Sequence, residues 1–125
     1  MNISKIKLEN QKTASPDENL FQVSKKMGVS KSIIILDGKR PVGILTMRDI
    51  VTRALVKGKD PKTTLVKDIM TTPVFCAKED DDIEKIAAFM LQKDYLTVPV
   101  VNKKEEYKGV LSLRQIIMYK KSKQK

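Results

Sequence analysis

One nine-residue motif occurs twice in the chain, and this repetition restricts the fold more than any other feature. Residues 43–51 read GILTMRDIV and residues 109–117 read GVLSLRQII, with glycine, leucine, arginine and isoleucine in register 66 residues apart. A recurrence of this length in a chain of 125 residues indicates two copies of one supersecondary unit. We expect repeats at residues 7–58 and 65–121, which pack together because a unit of about 60 residues is marginally stable alone.

The hydrophobic pattern predicts the element order β-α-β-β-α in each repeat. In repeat 1 we expect helices that begin at Ser15 and Thr46, because each is a good N-cap residue. The predicted strands of repeat 1 are residues 32–36 and 41–45, joined by a tight turn. The corresponding elements of repeat 2 are an approach strand at 71–77, a helix after residues 80–82, strands at 98–101 and 108–111, and a helix capped by Ser112.

These connections determine which strands run parallel. A helix between two strands allows them to lie parallel, whereas a tight turn makes the next pair antiparallel. The sequence therefore predicts an α/β fold with tandem β-α-β-β-α repeats and a small mixed sheet in each.

Composition excludes several classes of function. The chain has one cysteine, Cys76, and no histidine. An internal disulfide, the usual zinc ligands and histidine-based catalysis are therefore absent, and we expect neither an enzyme nor a metal site. No apolar stretch approaches the roughly 20 residues of a membrane span, and residues 1–5 lack the apolar core of a signal peptide. These features predict a cytoplasmic protein without membrane contact.

The charge balance indicates an anionic partner. The formal net charge is +10, which attracts nucleotides, nucleic acids or acidic proteins. Nucleic-acid binding is an alternative function, but the few aromatic residues are not interleaved with the basic ones as a stacking platform requires. Part of the positive charge lies in residues 120–125, which we expect to fray as chain termini usually do.

The repeated motif has a structural and a functional interpretation. Thr46 with Asp49, and Ser112 with Gln115, both fit a capping box, in which a hydroxyl and a side chain three residues later cap the helix reciprocally. An ionised carboxylate is also acceptor-only, so Asp49 could accept hydrogen bonds from both hydroxyls of a ribose. Gln115 offers one acceptor and two donors and cannot hold a diol in the same way.

The motif Gly-apolar-apolar-(Thr/Ser)-x-x-Asp, the element order and the segments 70–74 and 98–101 resemble the CBS domain. Two such repeats resemble a CBS pair, or Bateman module. The resemblance implies a pseudo-twofold pair of repeats, a homodimer, and clefts between repeats that bind adenine nucleotides or S-adenosylmethionine. It implies regulation, such as energy sensing through AMP, ADP or ATP, with occupancy transmitted to an effector protein of unknown identity.

The resemblance also assigns site residues. Asp49 and Thr46 would contact the ribose and Ile44 the base, while Gln115 makes the second cleft degenerate. Arg48 and Arg114 either reach phosphates or cover the outside of a helix. The nucleotide-binding residues would be Thr46, Asp49, Ile44, Lys31, Ser32, Thr72, Cys76, Ala77, Tyr95 and Leu96. The degenerate cleft would use Thr13, Ala14, Thr97, Val110, Ser112 and Gln115, together with Leu96.

The motif leaves a further alternative open. Capping alone explains both copies, because Gln115 suits a capping box at least as well as Asp49 does. The chain could therefore be a dimerisation or scaffold module without a ligand.

Overall fold

The computed structural model describes residues 1–123, and the chain forms two compact units. We call Gln11–Val74 the Asp49 unit, and Met1–Asn10 together with Phe75–Lys125 the Gln115 unit. Each contains one copy of the repeated motif and its own three-stranded sheet. The predicted mixed α/β architecture with two small mixed sheets is thereby confirmed.

The Asp49 unit is built around a central strand. Its sheet has the order β1-β2-β3, with β1 parallel and β3 antiparallel to β2. Helix α2 continues directly into a π-helical segment, Ile50–Leu55, and a short 3-10 turn follows at Val66–Asp68. The other elements are β1 (Thr13–Ala14), α1 (Leu20–Met27), β2 (Ser32–Asp37), β3 (Arg40–Thr46) and α2 (Met47–Asp49).

The Gln115 unit repeats this plan. Its sheet has the order β4-β5-β6, again with one parallel and one antiparallel pair. A 3-10 turn at Ile3–Lys5 takes the place that the turn at Val66–Asp68 has in the Asp49 unit. This turn is far in sequence from the rest of the Gln115 unit. The other elements are β4 (Ala77–Lys78), α3 (Ile83–Lys93), β5 (Thr97–Val101), β6 (Tyr107–Ser112) and α4 (Leu113–Ser122).

Each unit has a separate hydrophobic core between its sheet and its helices. The apolar runs of β2 and β5 are buried along most of their length, as expected for short strands covered on both faces. The core of the Asp49 unit contains Ala14, Leu20, Val23, Met27, Ile33, Ile35, Leu45, Ala54, Val66 and Ile69. The core of the Gln115 unit contains Ile3, Ile6, Ala77, Ile83, Ile86, Met90, Val98, Val100, Leu111 and Ile116.

In each unit a short segment pairs with the strand that carries the motif, and we call it the completing segment. It contains Thr71 in the Asp49 unit and Glu9 in the Gln115 unit. In the Asp49 unit, Thr71 and Ile44 exchange two backbone hydrogen bonds of 3.0 and 2.8 Å. In the Gln115 unit, Glu9 and Val110 exchange two bonds of 3.0 Å in the same way. The segment before repeat 1 therefore belongs to the unit of repeat 2, an arrangement that the repeat pattern does not reveal.

The motif glycines are explained by the close approach of these segments. A Cβ on Gly43 would lie 2.5 Å from the Met70 sulfur, and a Cβ on Gly109 would lie 2.9 Å from Leu8 Cβ and 3.0 Å from the Glu9 carbonyl oxygen. Gly109 also has φ of 142°, a conformation that residues with a side chain rarely adopt. Glycine is thus required where the completing segment meets the strand.

Three elements differ from the sequence prediction. Helix α1 begins at Leu20, not at Ser15, because the Asn19 side chain accepts from the Gln22 N–H and caps the helix there, while Ser15 and Glu18 form a separate turn before it. The approach strand of repeat 2 is only Ala77–Lys78, since Thr71 pairs with β3 instead.

The end of the chain is the third difference. The expectation that it frays from residue 120 was wrong for residues 120–122, which lie in α4, and Lys120 forms a 2.8 Å ion pair with Glu84. The last two residues, Gln124 and Lys125, lie outside the described part of the chain. Within residues 1–123, no helix is both long enough and apolar enough to cross a membrane.

We predict that Gly109→Ala destabilises the protein by about 2–4 kcal/mol, because it combines backbone strain with a clash against Leu8 and Glu9. Urea unfolding followed by circular dichroism measures this cost. Gly58→Ala is the matched control, since Gly58 also has positive φ but has no atom within 4 Å of an added Cβ, and it should cost about 1 kcal/mol. Equal costs for the two variants would contradict the role assigned to the close approach.

Candidate functional site

Both copies of the motif form a capping box. The Thr46 hydroxyl accepts from the Asp49 N–H at 3.1 Å, and the Asp49 carboxylate accepts from the Thr46 N–H at 3.0 Å. Ser112 and Gln115 make the same two bonds at 3.1 and 2.9 Å. The capping interpretation of the motif is therefore confirmed for both repeats. Ligand binding at either copy depends on which hydrogen-bonding groups of the motif side chains have no partner within the protein.

The Asp49 carboxylate is already bonded within its own unit. The residue is 5% exposed, and the Thr71 hydroxyl donates to both carboxylate oxygens at 3.1 and 3.2 Å. The Arg53 Nε lies 3.7 Å from one of these oxygens, and another guanidinium nitrogen of Arg53 donates to the Met70 carbonyl at 2.9 Å. A ribose could reach this carboxylate only if the Thr71 hydroxyl turned away.

The Gln115 amide is also bonded within the protein. Its carbonyl oxygen accepts from the Ser112 N–H at 2.9 Å and from the Ser112 hydroxyl at 3.2 Å, and its amide nitrogen donates to the Lys7 carbonyl at 2.8 Å. Gln115 thus fastens the segment before repeat 1 to the first turn of α4. This structural role accounts for an amide here, because a carboxylate has no N–H to donate to the Lys7 carbonyl.

The Gln115 unit contains a cavity of about 600 Å³ at the first turn of α4. Its lining residues combine apolar side chains with the charged residues Glu9 and Arg114 and the hydroxyl-bearing residues Ser112 and Thr97. A cavity of this size, with apolar walls and a few polar groups, is typical of small-molecule sites. The residues that line it are Ile6, Glu9, Leu96, Thr97, Ser112, Leu113, Arg114, Gln115 and Met118.

The sequence analysis missed four residues that line the cavity: Ile6, Glu9, Leu113 and Met118. Of these, Glu9 carries a carboxylate, and its backbone is fixed by the two hydrogen bonds to Val110. The spacing Ile3-x-x-Ile6 matches Val66-x-x-Ile69, and all four side chains are buried. This apolar match was the one sequence signal that could have placed residues 3–9 beside repeat 2.

The predicted site residues of the Asp49 unit lie on β1, on the β2–β3 pair and near the completing segment. Ser32 pairs with Thr46 across the two strands, and the Lys31 carbonyl accepts from the Met47 N–H at 3.0 Å. The Thr72 hydroxyl donates to the Val42 carbonyl at 2.8 Å. Residues Thr13 and Ala14 form β1, which pairs with Ile34 and Ile35.

In the Gln115 unit, the predicted residues fall into two groups. Leu96, Thr97, Ser112 and Gln115 all line the cavity. The neighbouring Val110 is completely buried, because it faces the protein interior opposite Pro99. The structure thus brings four of the predicted residues together around a cavity: Leu96, Thr97, Ser112 and Gln115.

The second group lies by the approach strand and before β5. Ala77 is in the core, and Tyr95 packs edge-on against Phe89 with ring centroids 6.0 Å apart. Burial raises the pKa of the Cys76 thiol, and the negative charge of Glu105 raises it further. A raised pKa leaves the thiol protonated and weakly nucleophilic. Residues 1–123 contain no cluster of Cys, Asp and Glu that could hold a metal ion.

Comparison with known proteins assigns the family. The CBS domain model matches residues 4–55 and 66–122, which together cover most of the chain. The chain belongs to the CBS domain family. This result confirms the resemblance that the repeated motif and the element order indicated.

Curated relatives cover a range of larger proteins. The chain is 29% identical over 108 residues to an uncharacterized protein of Methanopyrus kandleri, with 84% of the chain and 55% of that protein covered. It is 32% identical over 112 residues to inosine-5'-monophosphate dehydrogenase of Methanocaldococcus jannaschii, with 87% of the chain covered. The chain spans about half of the first relative and 21% of the second.

Solved CBS structures share the fold at low identity. A signal-transduction protein with CBS domains from Burkholderia ambifaria has a TM-score of 0.83 and 21% identity, covering 98% of this chain and 93% of that one. CBSX2 of Arabidopsis thaliana, in a complex with AMP, has a TM-score of 0.83 and 15% identity, covering 99% and 98% of the two chains. At these identities the likeness concerns the fold.

We predict that Thr71→Val lowers the free energy of unfolding by about 1–3 kcal/mol, because it removes a donor from the buried Asp49 carboxylate without changing the side-chain shape. Urea unfolding provides the measurement. Thr72→Val is the matched control, since the Thr72 hydroxyl donates to a backbone carbonyl from an exposed position, and it should cost less than about 1 kcal/mol. A larger loss in Thr72→Val than in Thr71→Val would show that Asp49 does not depend on this bond.

Proposed function

We propose that this CBS-family chain is a regulatory module that binds an adenine nucleotide and transmits its occupancy to a separate effector protein. The observation that carries the proposal is the cavity at the first turn of α4, whose wall combines apolar residues with charged ones. A nucleotide likewise combines a flat base, whose faces pack on apolar side chains, with a charged phosphate. Leu96, Leu113 and Met118 would face the base, and Arg114 would bind the phosphate.

The charge of the chain supports an anionic ligand. The formal net charge of +10 raises the local concentration of anions at the surface. The AMP complex of CBSX2 supports the choice of an adenine nucleotide, since that protein shares this fold. AMP, ADP and ATP are the proposed ligands, and S-adenosylmethionine is the competing one. Sensing of cellular energy would follow if AMP and ATP competed for one site.

The Asp49 unit is a second proposed binding region. Here the ligand would contact Asp49 and Thr46 through its ribose and Ile44 through its base, after the Thr71 hydroxyl had released the carboxylate. The rest of the predicted set, which includes Lys31, Ser32, Thr72, Cys76, Ala77 and Tyr95, stays a prediction. Binding here has a cost that the α4 cavity lacks, because one existing hydrogen bond must be broken.

Regulation without catalysis fits the side chains that are present. The chain has no histidine, and the pKa of its single thiol is raised, so it lacks a histidine general base and a readily ionised thiol nucleophile. A ligand shifts a protein between two arrangements by as much as its affinity differs between them. The effector would then recognise the arrangement that the nucleotide favours.

A ligand-free dimerisation module is the second candidate. It is favoured by the satisfied Asp49 carboxylate and by exposed apolar residues on the helices that follow the two motifs. In the Asp49 unit these are Met47, Val51, Leu55 and Val56, and in the Gln115 unit they are Ile117 and Met118. Exposed apolar patches mark interaction surfaces, and a second copy of this chain is the proposed occupant.

We predict that one adenine nucleotide raises the melting temperature of the protein. At 100 times its dissociation constant a ligand adds about 2.7 kcal/mol of stability, which corresponds to roughly 10 °C for a chain of this size. Thermal unfolding with AMP, ADP, ATP and S-adenosylmethionine measures the shift. GMP is the matched ligand control, because it carries the same ribose phosphate on a different base.

The control and the opposite result are both informative. An equal shift with GMP would show that the site does not recognise the adenine base. If calorimetry found no binding of any adenosyl ligand to the folded protein, the proposed function would fail and the dimerisation module would replace it.

We predict that Leu55→Glu reduces self-association, because it places a charge among the exposed apolar residues of the Asp49 unit. Light scattering after size-exclusion chromatography measures the mass. Leu91→Glu is the matched control, since Leu91 is 67% exposed, comparable with 72% for Leu55, but lies on α3. A monomeric wild type, or a dimer that persists in Leu55→Glu, would rule out this surface.

A further inference from the structure

The Gln115 unit has a carboxylate at its α4 cavity although its motif lacks one. Glu9 and Thr71 occupy equivalent positions, because each pairs through its backbone N–H and carbonyl with the residue after the motif glycine. The Thr71 side chain reaches the third residue of its capped helix, Asp49. Glu9 occupies the same backbone position and lines the cavity at the first turn of α4 together with Gln115.

The chemical roles of the two positions are therefore exchanged between the units. In the Asp49 unit the helix supplies the carboxylate and the completing segment supplies a hydroxyl. In the Gln115 unit the helix supplies an amide and the completing segment supplies the carboxylate. Each unit thus combines one carboxylate with one neutral polar side chain, but the element that supplies the carboxylate is the helix in one unit and the completing segment in the other.

Only one of the two carboxylates is open to a ligand. Asp49 accepts hydrogen bonds from Thr46 and Thr71 and is 5% exposed. Glu9 is exposed, and within residues 1–123 its carboxylate has neither a hydrogen bond nor an ion pair. Gln115 also lines the cavity, but its amide is already bonded to Ser112 and to the Lys7 carbonyl.

We propose that Glu9 is the ribose-binding residue of the α4 cavity and that the cavity selects a ribonucleoside 5′-phosphate. This inference rests on the proposed function and names the residue that would give it sugar specificity. Both ribose hydroxyls are donors, and an ionised carboxylate accepts from both. The fixed backbone of Glu9 limits the ordering required when the ligand binds.

The charges of the cavity wall fit the rest of such a ligand. Arg114 lines the same cavity and carries the opposite charge to Glu9. A ligand with neutral hydroxyls at one point and a phosphate at another satisfies both residues, whereas an uncharged ligand leaves Arg114 unpaired. The apolar side chains of Leu96, Leu113 and Met118 provide the surface for the base.

The test compares AMP with 2′-deoxyadenosine 5′-monophosphate by titration calorimetry on the full chain. The two ligands differ by one hydroxyl, so their affinity ratio isolates the diol contact. We expect the wild type to prefer AMP by roughly 10-fold to 100-fold, the range for hydrogen bonds to a charged group. Glu9→Gln should reduce this ratio to near one while it retains the affinity for the deoxy ligand.

Two variants serve as controls. Glu79→Gln removes an exposed carboxylate of the same unit that does not line the cavity, and it should keep the wild-type ratio. The second, Asp49→Asn, tests the competing assignment, because the proposed function also places Asp49 at a ribose, and a ratio that falls in this variant would assign the sugar contact to the Asp49 unit. Because the Glu9 carboxylate has no hydrogen bond or ion pair within residues 1–123, the melting temperature of Glu9→Gln without ligand should match that of the wild type.

The outcomes separate this inference from the proposed function. A ratio that falls in Glu9→Gln alone supports the inference. If AMP binds but the ratio falls only in Asp49→Asn, or in neither variant, the inference is overturned and the proposed function stands. If the wild type does not distinguish the two ligands, the inference is likewise overturned. If the wild type binds no adenine nucleotide, both fail.

Discussion

The structure of each unit depends on one pair of backbone hydrogen bonds between the motif strand and a segment from outside its own repeat. Thr71 with Ile44, and Glu9 with Val110, form these pairs. Each pair brings a 3-10 turn with it, and the apolar residues of that turn, Ile3 or Val66, are buried in the core. Without this pairing the strand after the glycine would lose its partner on one side and leave its buried polar groups unsatisfied.

The same pairing explains why two nearly identical motifs have different chemistry. Because glycine has no side chain, the completing segment can lie close to the motif strand. The residue that the segment carries at this position then lies near the first turn of the following helix. In one unit that side chain is the Thr71 hydroxyl, which satisfies Asp49. In the other it is the Glu9 carboxylate, which leaves Gln115 to bond the Lys7 backbone. The motif alone is therefore an incomplete description of either site.

The sequence predicted the parts of the fold that local patterns control. The apolar runs of β2 and β5, the turn after Asp37 and the caps at Thr46 and Ser112 follow from composition over a few residues. The predicted helix start at Ser15 was wrong because residues 15–18 form a separate turn and the Asn19 side chain caps the helix instead. The repeat does not predict that residues 1–10 belong to the unit of repeat 2, because this arrangement depends on pairing between residues about 100 positions apart.

That long-range pairing also links folding to the proposed ligand. Glu9 belongs to a segment held by two buried isoleucines, by its bonds to Val110 and by the Gln115 amide. A peripheral segment of this kind opens with less free energy than the core that it covers. A nucleotide that bound Glu9 and the first turn of α4 together would stabilise the closed segment, because it would bind only where both are in place. A change of ligand would then alter the stability of residues 1–10, a change that a partner protein could recognise.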